Sequence, residues 1–169
     1  MTLRPIREVP NSQVLDAAKQ FHAGYTHLMA SLPGTGVLLP ALHSACIAIE
    51  LYLKSLSAIE IAIPDPAFPG AATIHAKSPA TSHKFRELLN RAPKDFIDAI
   101  GTQAQTHTRL RTYKAFGDAL DALEGLFMGS RYPYEPTSDI SQVPTDVLDS
   151  ILATLEVGIP NVGHRFERQ

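Results

Sequence analysis

Leu38-Leu39-Pro40-Ala41-Leu42-His43-Ser44-Ala45-Cys46-Ile47-Ala48-Ile49-Glu50-Leu51-Tyr52-Leu53-Lys54-Ser55-Leu56 is the stretch on which the fold turns. Leu42, Ala45, Cys46, Ile49, Leu53 and Leu56 recur at helical spacing. Ile47 and Leu51 fall elsewhere on the wheel, so the predicted helix, roughly Leu38 to Ile61, is apolar almost all round. Such a helix belongs at the centre of a bundle. It is not expected to cross a membrane. Its most apolar part, Gly36 to Leu53, is interrupted by Pro40, His43 and Glu50, whereas a span needs ~20 mostly apolar residues.

On the N-terminal side, residues 1–10 read as an irregular arm with Pro5 and Pro10. Asn11 or Ser12 is a good cap for a first helix through Val14, Leu15, Ala18, Phe21, Ala23, Tyr25 and Leu28, which stops at Leu32-Pro33-Gly34-Thr35-Gly36. On the C-terminal side, Pro64, Pro66, Pro69 and Pro79 make residues 62–81 a long loop, since proline breaks a strand ladder. Thr81 or Ser82 caps a short helix from His83 to about Asn90. Pro93 opens a further helix with Phe96, Ile97 and Ile100 on its apolar side, and Gly101-Thr102 is a candidate break. A long amphipathic pattern carries Leu110, Tyr113, Phe116, Leu120, Leu123 and Phe127, and stops at Gly129. A last helix from Pro144 or Thr145 carries Val147, Leu148, Ile151, Leu152 and Leu155 and ends at Gly158 and Pro160. The tail, Asn161 to Gln169, is polar and expected to be loose. No sustained alternation of period two is read. The prediction is an all-α, up-and-down bundle of about five helices. It forms one domain over residues 1–169, with its core at about 12–157.

Composition narrows the function classes. Apolar residues make up 44% and charged residues 19%, which suits a globular protein and excludes disorder. Fifteen basic and 17 acidic residues leave a net charge of −2, so no global basic field awaits a phosphate backbone. Cys46 is alone, which excludes an internal disulfide and a Cys-rich zinc site. No apolar run follows Arg4 and Arg7, so no leader is read there and the expected location is the cytoplasm.

Three short segments carry candidate chemistry. On the central helix, His43, Glu50 and Lys54 fall within about 40° of one another, and Glu50 and Lys54 form an i, i+4 pair in the favourable order. This stripe is either a solvated edge or a polar cluster facing a groove. His83 would sit in the first turn of its helix, where the dipole favours a neutral imidazole. Arg131-Tyr132-Pro133-Tyr134-Glu135 offers an arginine that could reach a carboxylate or phosphate, beside two tyrosines that could equally seal one end of the bundle. His22 with His27, and His107 with Arg111, have no metal-ligand spacing and read as surface residues. Gly34-Thr35-Gly36 is not a phosphate loop, and there is no Gly-x-Ser-x-Gly elbow.

Taken together, these segments resemble the HEPN superfamily of α-helical bundles. Ala48-Ile49-Glu50-Leu51-Tyr52-Leu53-Lys54-Ser55-Leu56 looks like its Ala-x-Glu-x-x-Leu-Lys-Ala central helix. Ser82-His83-Lys84-Phe85-Arg86-Glu87-Leu88-Leu89 is similar to its Gly-His-x-Leu-x-x-Leu turn, and Arg131-Tyr132-Pro133 to an Arg-Tyr segment after a later helix. Many members are dimeric ribonucleases of toxin–antitoxin or defence systems, with an Arg followed after four to six residues by His. No arginine here has a histidine at that distance downstream. The resemblance therefore implies a non-catalytic binding or interaction domain, expected as a homodimer. It would bind an anionic ligand (a nucleotide or RNA) or a partner protein through Glu50, Lys54, His83, Arg131, Tyr132 and Tyr134, with no catalytic residue, metal, cofactor or membrane partner. The alternatives are a diverged metal-independent ribonuclease, with His83 and Arg131 meeting in space, and a structural subunit of a larger complex.

Overall fold

A computed structural model describes residues 6–31, 34–123, 125–131 and 144–168, with backbone alone for Ile6, Phe127, Met128, Arg131 and Arg168. Two long helices form the centre: α1, Ser12–Met29, and α2, Leu38–Ser55, packed as an α-hairpin. Asn11 caps α1 as its residue type predicts, its Oδ1 accepting from Val14 N–H at 3.2 Å. Its own N–H donates to the Ser55 carbonyl at 2.8 Å, tying the start of α1 to the end of α2. α2 is the central element expected. Ala41, Leu42, Ala45, Cys46, Ala48, Ile49, Tyr52 and Leu53 are all sealed from solvent. Around it lie α3, Phe85–Leu89; α4, Lys94–Ala104; α5, Phe116–Asp121; α6, Leu126–Arg131; and α7, Thr145–Val162. Among these α2 touches α3, α6 and α7, and α4 packs along α7.

The chain is mostly helical but not all-α. Strand β1, Ile6–Val9, pairs antiparallel with β4, Arg165–Arg168, and β2, Ile59–Pro64, with β3, Ala72–Lys77. The segments read as an irregular arm and a loose tail are therefore partners. Arg7 and Glu167 meet at 2.6 Å, and Arg165 joins Glu167 at 2.8 Å, pairs with Asp95 and lies over the Phe96 ring. The helix expected to run to Ile61 ends at Ser55, because Ile59, Ile61 and Ile63 alternate as β-branched strand residues. The loop read over 62–81 is largely a hairpin. Its prolines spare the ladder. Asp65 N–H donates to the Ala71 carbonyl at 3.0 Å, so 65/71, 63/73, 61/75 and 59/77 are the hydrogen-bonded pairs. Pro64, opposite Ala72, falls at a position whose nitrogen faces away from the partner strand.

Two further expectations need correction. The pattern over Leu110 to Phe127 is not one helix but a 3-10 turn at Leu110–Thr112, then α5 and α6. Extended backbone at Tyr113 and Ala115 and a positive φ of 89° at Gly125 interrupt it. Gly129 lies inside α6 and does not stop it. Conversely, α4 continues through Gly101, and α7 continues through Gly158 and Pro160 to Val162, ending at Gly163 with φ +82°. Among the described residues no helix is long and apolar enough to cross a membrane.

Candidate functional site

α2 carries Glu50 and Lys54 one turn apart, and Lys54 Nζ donates to Glu50 Oε1 at 2.5 Å. Glu50 is 8% exposed, so the stripe is not a solvated edge but a polar cluster built into the packed helix. The carboxylate is not left bare. His83 reaches it across 33 residues of sequence, its Nδ1 3.1 Å from both Oε1 and Oε2. An ionised carboxylate only accepts, so Nδ1 is the donor in this contact. The imidazole side chain is 60% exposed while Glu50 behind it is 10% exposed, so a buried anion holds a solvent-facing ring.

His83 is positioned by a loop and not by a helix. α3 begins at Phe85 with Lys84 as its N-cap residue, two residues later than expected. Ser82 Oγ accepts the Lys84 N–H at 3.1 Å, a local turn that competes with capping. The helix-dipole argument for His83 therefore gives way to its contact with Glu50. Lys84 stands beside it, exposed, with Glu87 Oε1 at 3.9 Å. Below the cluster, one turn back on α2, the buried Cys46 thiol is pushed up to about 12, by burial first and by the Glu50 charge second.

The third member of the stripe goes elsewhere. His43 lies about two turns from Glu50, ~10 Å along the axis, and its Nδ1 is 3.4 Å from Ser130 Oγ on α6. Arg131 follows Ser130 as the last residue of α6, so the backbone brings it to the end of α2 where His43 stands. Its side chain lies outside the described residues, as do Tyr132 and Tyr134 entirely. Glu50, Lys54 and His83 are thus brought together, and the structure makes no statement on the Arg131 segment's side chains.

A second polar group was read as surface. His22 is only 15% exposed in its side chain. Its Nδ1 lies 3.3 Å from the hydroxyl of Tyr52, which is fully buried, and 3.7 Å from Glu156 Oε2 on α7. Tyr25 donates to Asp149 at 2.5 Å, also across α1 and α7. Burial raises both phenols above the ordinary tyrosine range, with Asp149 adding to Tyr25 and Glu156 to Tyr52. His22 and His27 line one shallow depression of about 470 Å³ with Lys19 and Glu156. Among the described residues no three His, Cys, Asp or Glu side chains group to hold a metal ion.

Comparison with protein-family models, with curated proteins and with solved structures finds no match to this chain.

Proposed function

We propose that the chain is a HEPN-like binding or interaction domain without catalytic function, of the kind that serves toxin–antitoxin or defence systems. Its ligand is an anion, a nucleotide or an RNA phosphate, received at Glu50, Lys54 and His83. The observation that carries this reading is the carboxylate of Glu50, nearly buried and engaged from two sides by Lys54 and His83. Two of the three segments that carry the resemblance meet at this one group. Glu50 acts as the positioning residue: it holds the largely buried Lys54 ammonium and orients the His83 ring, which beside the exposed Lys84 faces solvent. A net charge of −2 favours a small or local anion over a long duplex.

Titration with nucleotides and short RNAs in low salt tests it. Wild type should bind, and His83→Ala should weaken binding about tenfold (~1.4 kcal/mol) while leaving the fold intact. No binding by wild type in low salt overturns the reading. One observation favours a second function, a diverged metal-independent ribonuclease. An exposed imidazole whose far nitrogen rests on a carboxylate is the arrangement of a positioned general base. Incubation with mixed RNA without metal, beside His83→Ala and Arg131→Ala, separates the two: cleavage lost in both variants selects the ribonuclease.

A further inference from the structure

α3 delivers His83 to Glu50, and its rotation about its own axis has to be fixed by something. The helix is short, Phe85–Leu89, begins just after the His83 loop and has no side-chain cap at Lys84. A helix of this length does not hold its geometry in water. Phe85, Leu88 and Leu89 are buried and seat it on the core. Such contacts are non-directional and leave the rotation loosely defined. Arg86 supplies the direction. Its Nη2 donates to Asp118, and its Nε, sealed from solvent, lies 2.7 Å from Asp121 Oδ2, both on α5. Two carboxylates thus hold one edge of a planar cation, a geometry that a lysine ammonium does not reproduce. α5 is shaped to receive it. Asp118 is itself fixed, its Oδ2 accepting Ala115 N–H at 3.0 Å. Gly117 lies against the guanidinium: a Cβ there would stand 3.1 Å from Cζ and Nη1 and 3.4 Å from Nε. A side chain at this position would push the group off α5.

We propose that Arg86 is a second positioning residue of the anion site: its clamp to Asp118 and Asp121 sets the rotation of α3 and thereby seats the His83 ring on Glu50. This role rests on the reading of His83 as a ligand-facing group. Arg86 follows His83 so closely that at most about 11 Å of chain separates the clamp from the ring. α3 is then held from two sides, by α5 through Arg86 and by α2 through the core and Glu50. Stability alone does not account for such a clamp. The side chains of Arg86, Asp118 and Asp121 are 38%, 40% and 47% exposed, and ion pairs this exposed add little to it. What two carboxylates and a glycine cradle do add is direction, since they admit the guanidinium in one orientation.

The test uses the full chain, and its first measurement needs no ligand. At about pH 8.5, above the ordinary imidazole range, nitrogen NMR distinguishes a ring protonated at Nδ1 from one protonated at Nε2. The His83 signal is the one that His83→Ala removes. In the wild type it should report hydrogen on Nδ1. Arg86→Gln opens the clamp from α3. Asp118→Asn with Asp121→Ala opens it from α5 and keeps an oxygen to accept Ala115 N–H. Both variants should retain wild-type helical circular dichroism, and in both the His83 hydrogen should pass to Nε2, as in a free imidazole. The two changes move the net charge in opposite directions, so a common response reports position and not field. In nucleotide titrations Arg86→Gln should weaken binding about threefold to tenfold, and not at all in the His83→Ala background. A wild-type ring without hydrogen on Nδ1, or a variant ring that keeps it there, overturns the proposal. So does a loss of binding that persists in the His83→Ala background, because Arg86 would then meet the ligand itself. A wild type that binds no nucleotide overturns the anion site alone, and the NMR result still decides whether Arg86 seats His83.

Discussion

Glu50 and His83 share one contact but differ in what its loss costs. Removing a carboxylate that is 10% exposed strips Lys54, itself 16% exposed, of its partner. Glu50→Ala should therefore destabilise the protein by about 1–3 kcal/mol in urea unfolding. His83 is 60% exposed, and an exposed partner in a charged pair contributes little, so His83→Ala should cost less than about 1 kcal/mol. Equal losses in the two variants would refute this division of roles. How much of the site could be read beforehand follows the same lines. Glu50 and Lys54 were legible because helical spacing alone puts them on one stripe. His83 was legible only through a motif, since nothing local shows which carboxylate a loop histidine will meet. The partnership of His22 with Tyr52, and of Tyr25 with Asp149, left no sign in one sequence. Each pair joins elements that are 30 and 124 positions apart, and only the packed fold brings them together.

Glycine and proline decide where the elements run, and they mislead when packing overrides them. Gly158 sits inside α7, where an added Cβ would lie 3.2 Å from the Ile100 Cα of α4, a backbone atom that cannot step aside. Gly158→Ala should cost about 1–3 kcal/mol through overpacking. Gly24, inside α1, has open space around the same added atom, so Gly24→Ala should gain about 0.5–1 kcal/mol. Denaturation midpoints of the two variants should move in opposite directions, and movement in the same direction would show that intrinsic helix preference, not the helix crossing, rules at Gly158. This explains one misreading of the sequence. A glycine needed for close approach looks the same as a glycine that stops a helix. The hairpin was missed for a related reason. Four prolines counted against strands, yet Pro64 stands where no ladder N–H is required, and Pro66, Pro69 and Pro79 fall outside the paired residues. The central helix was legible because nearly every position on it is apolar, a pattern that leaves few other places to put it.

Across the whole molecule, three acidic groups bear on pH stability in the same direction. The Cys46 thiol and the Tyr25 and Tyr52 hydroxyls are all held neutral, their folded values raised above the ordinary 9.0 and 10.0. Above pH ~9 the unfolded chain releases these protons first and so binds fewer than the folded chain. Their contribution is complete below that point and is lost as pH rises. Thermal melts should therefore show a falling Tm from pH 9 upward, and Tyr52→Phe should flatten the decline. A Tm that is level to pH 11 would refute it. The whole-molecule outline was only partly legible: a central helix in a helical assembly, but not the sheets that close it. The pairing of β1 with β4 could not be read because four-residue strands at opposite ends of a chain carry no periodicity long enough to detect. That pairing also determines how the molecule bears load. Ile6 stands opposite Arg168, so the backbone enters and leaves the bundle side by side. Tension applied through both ends would pull the ladder apart like a zipper, one rung at a time. It would not shear all the rungs at once, so the clasp that gathers the two ends should be the first part to yield under force.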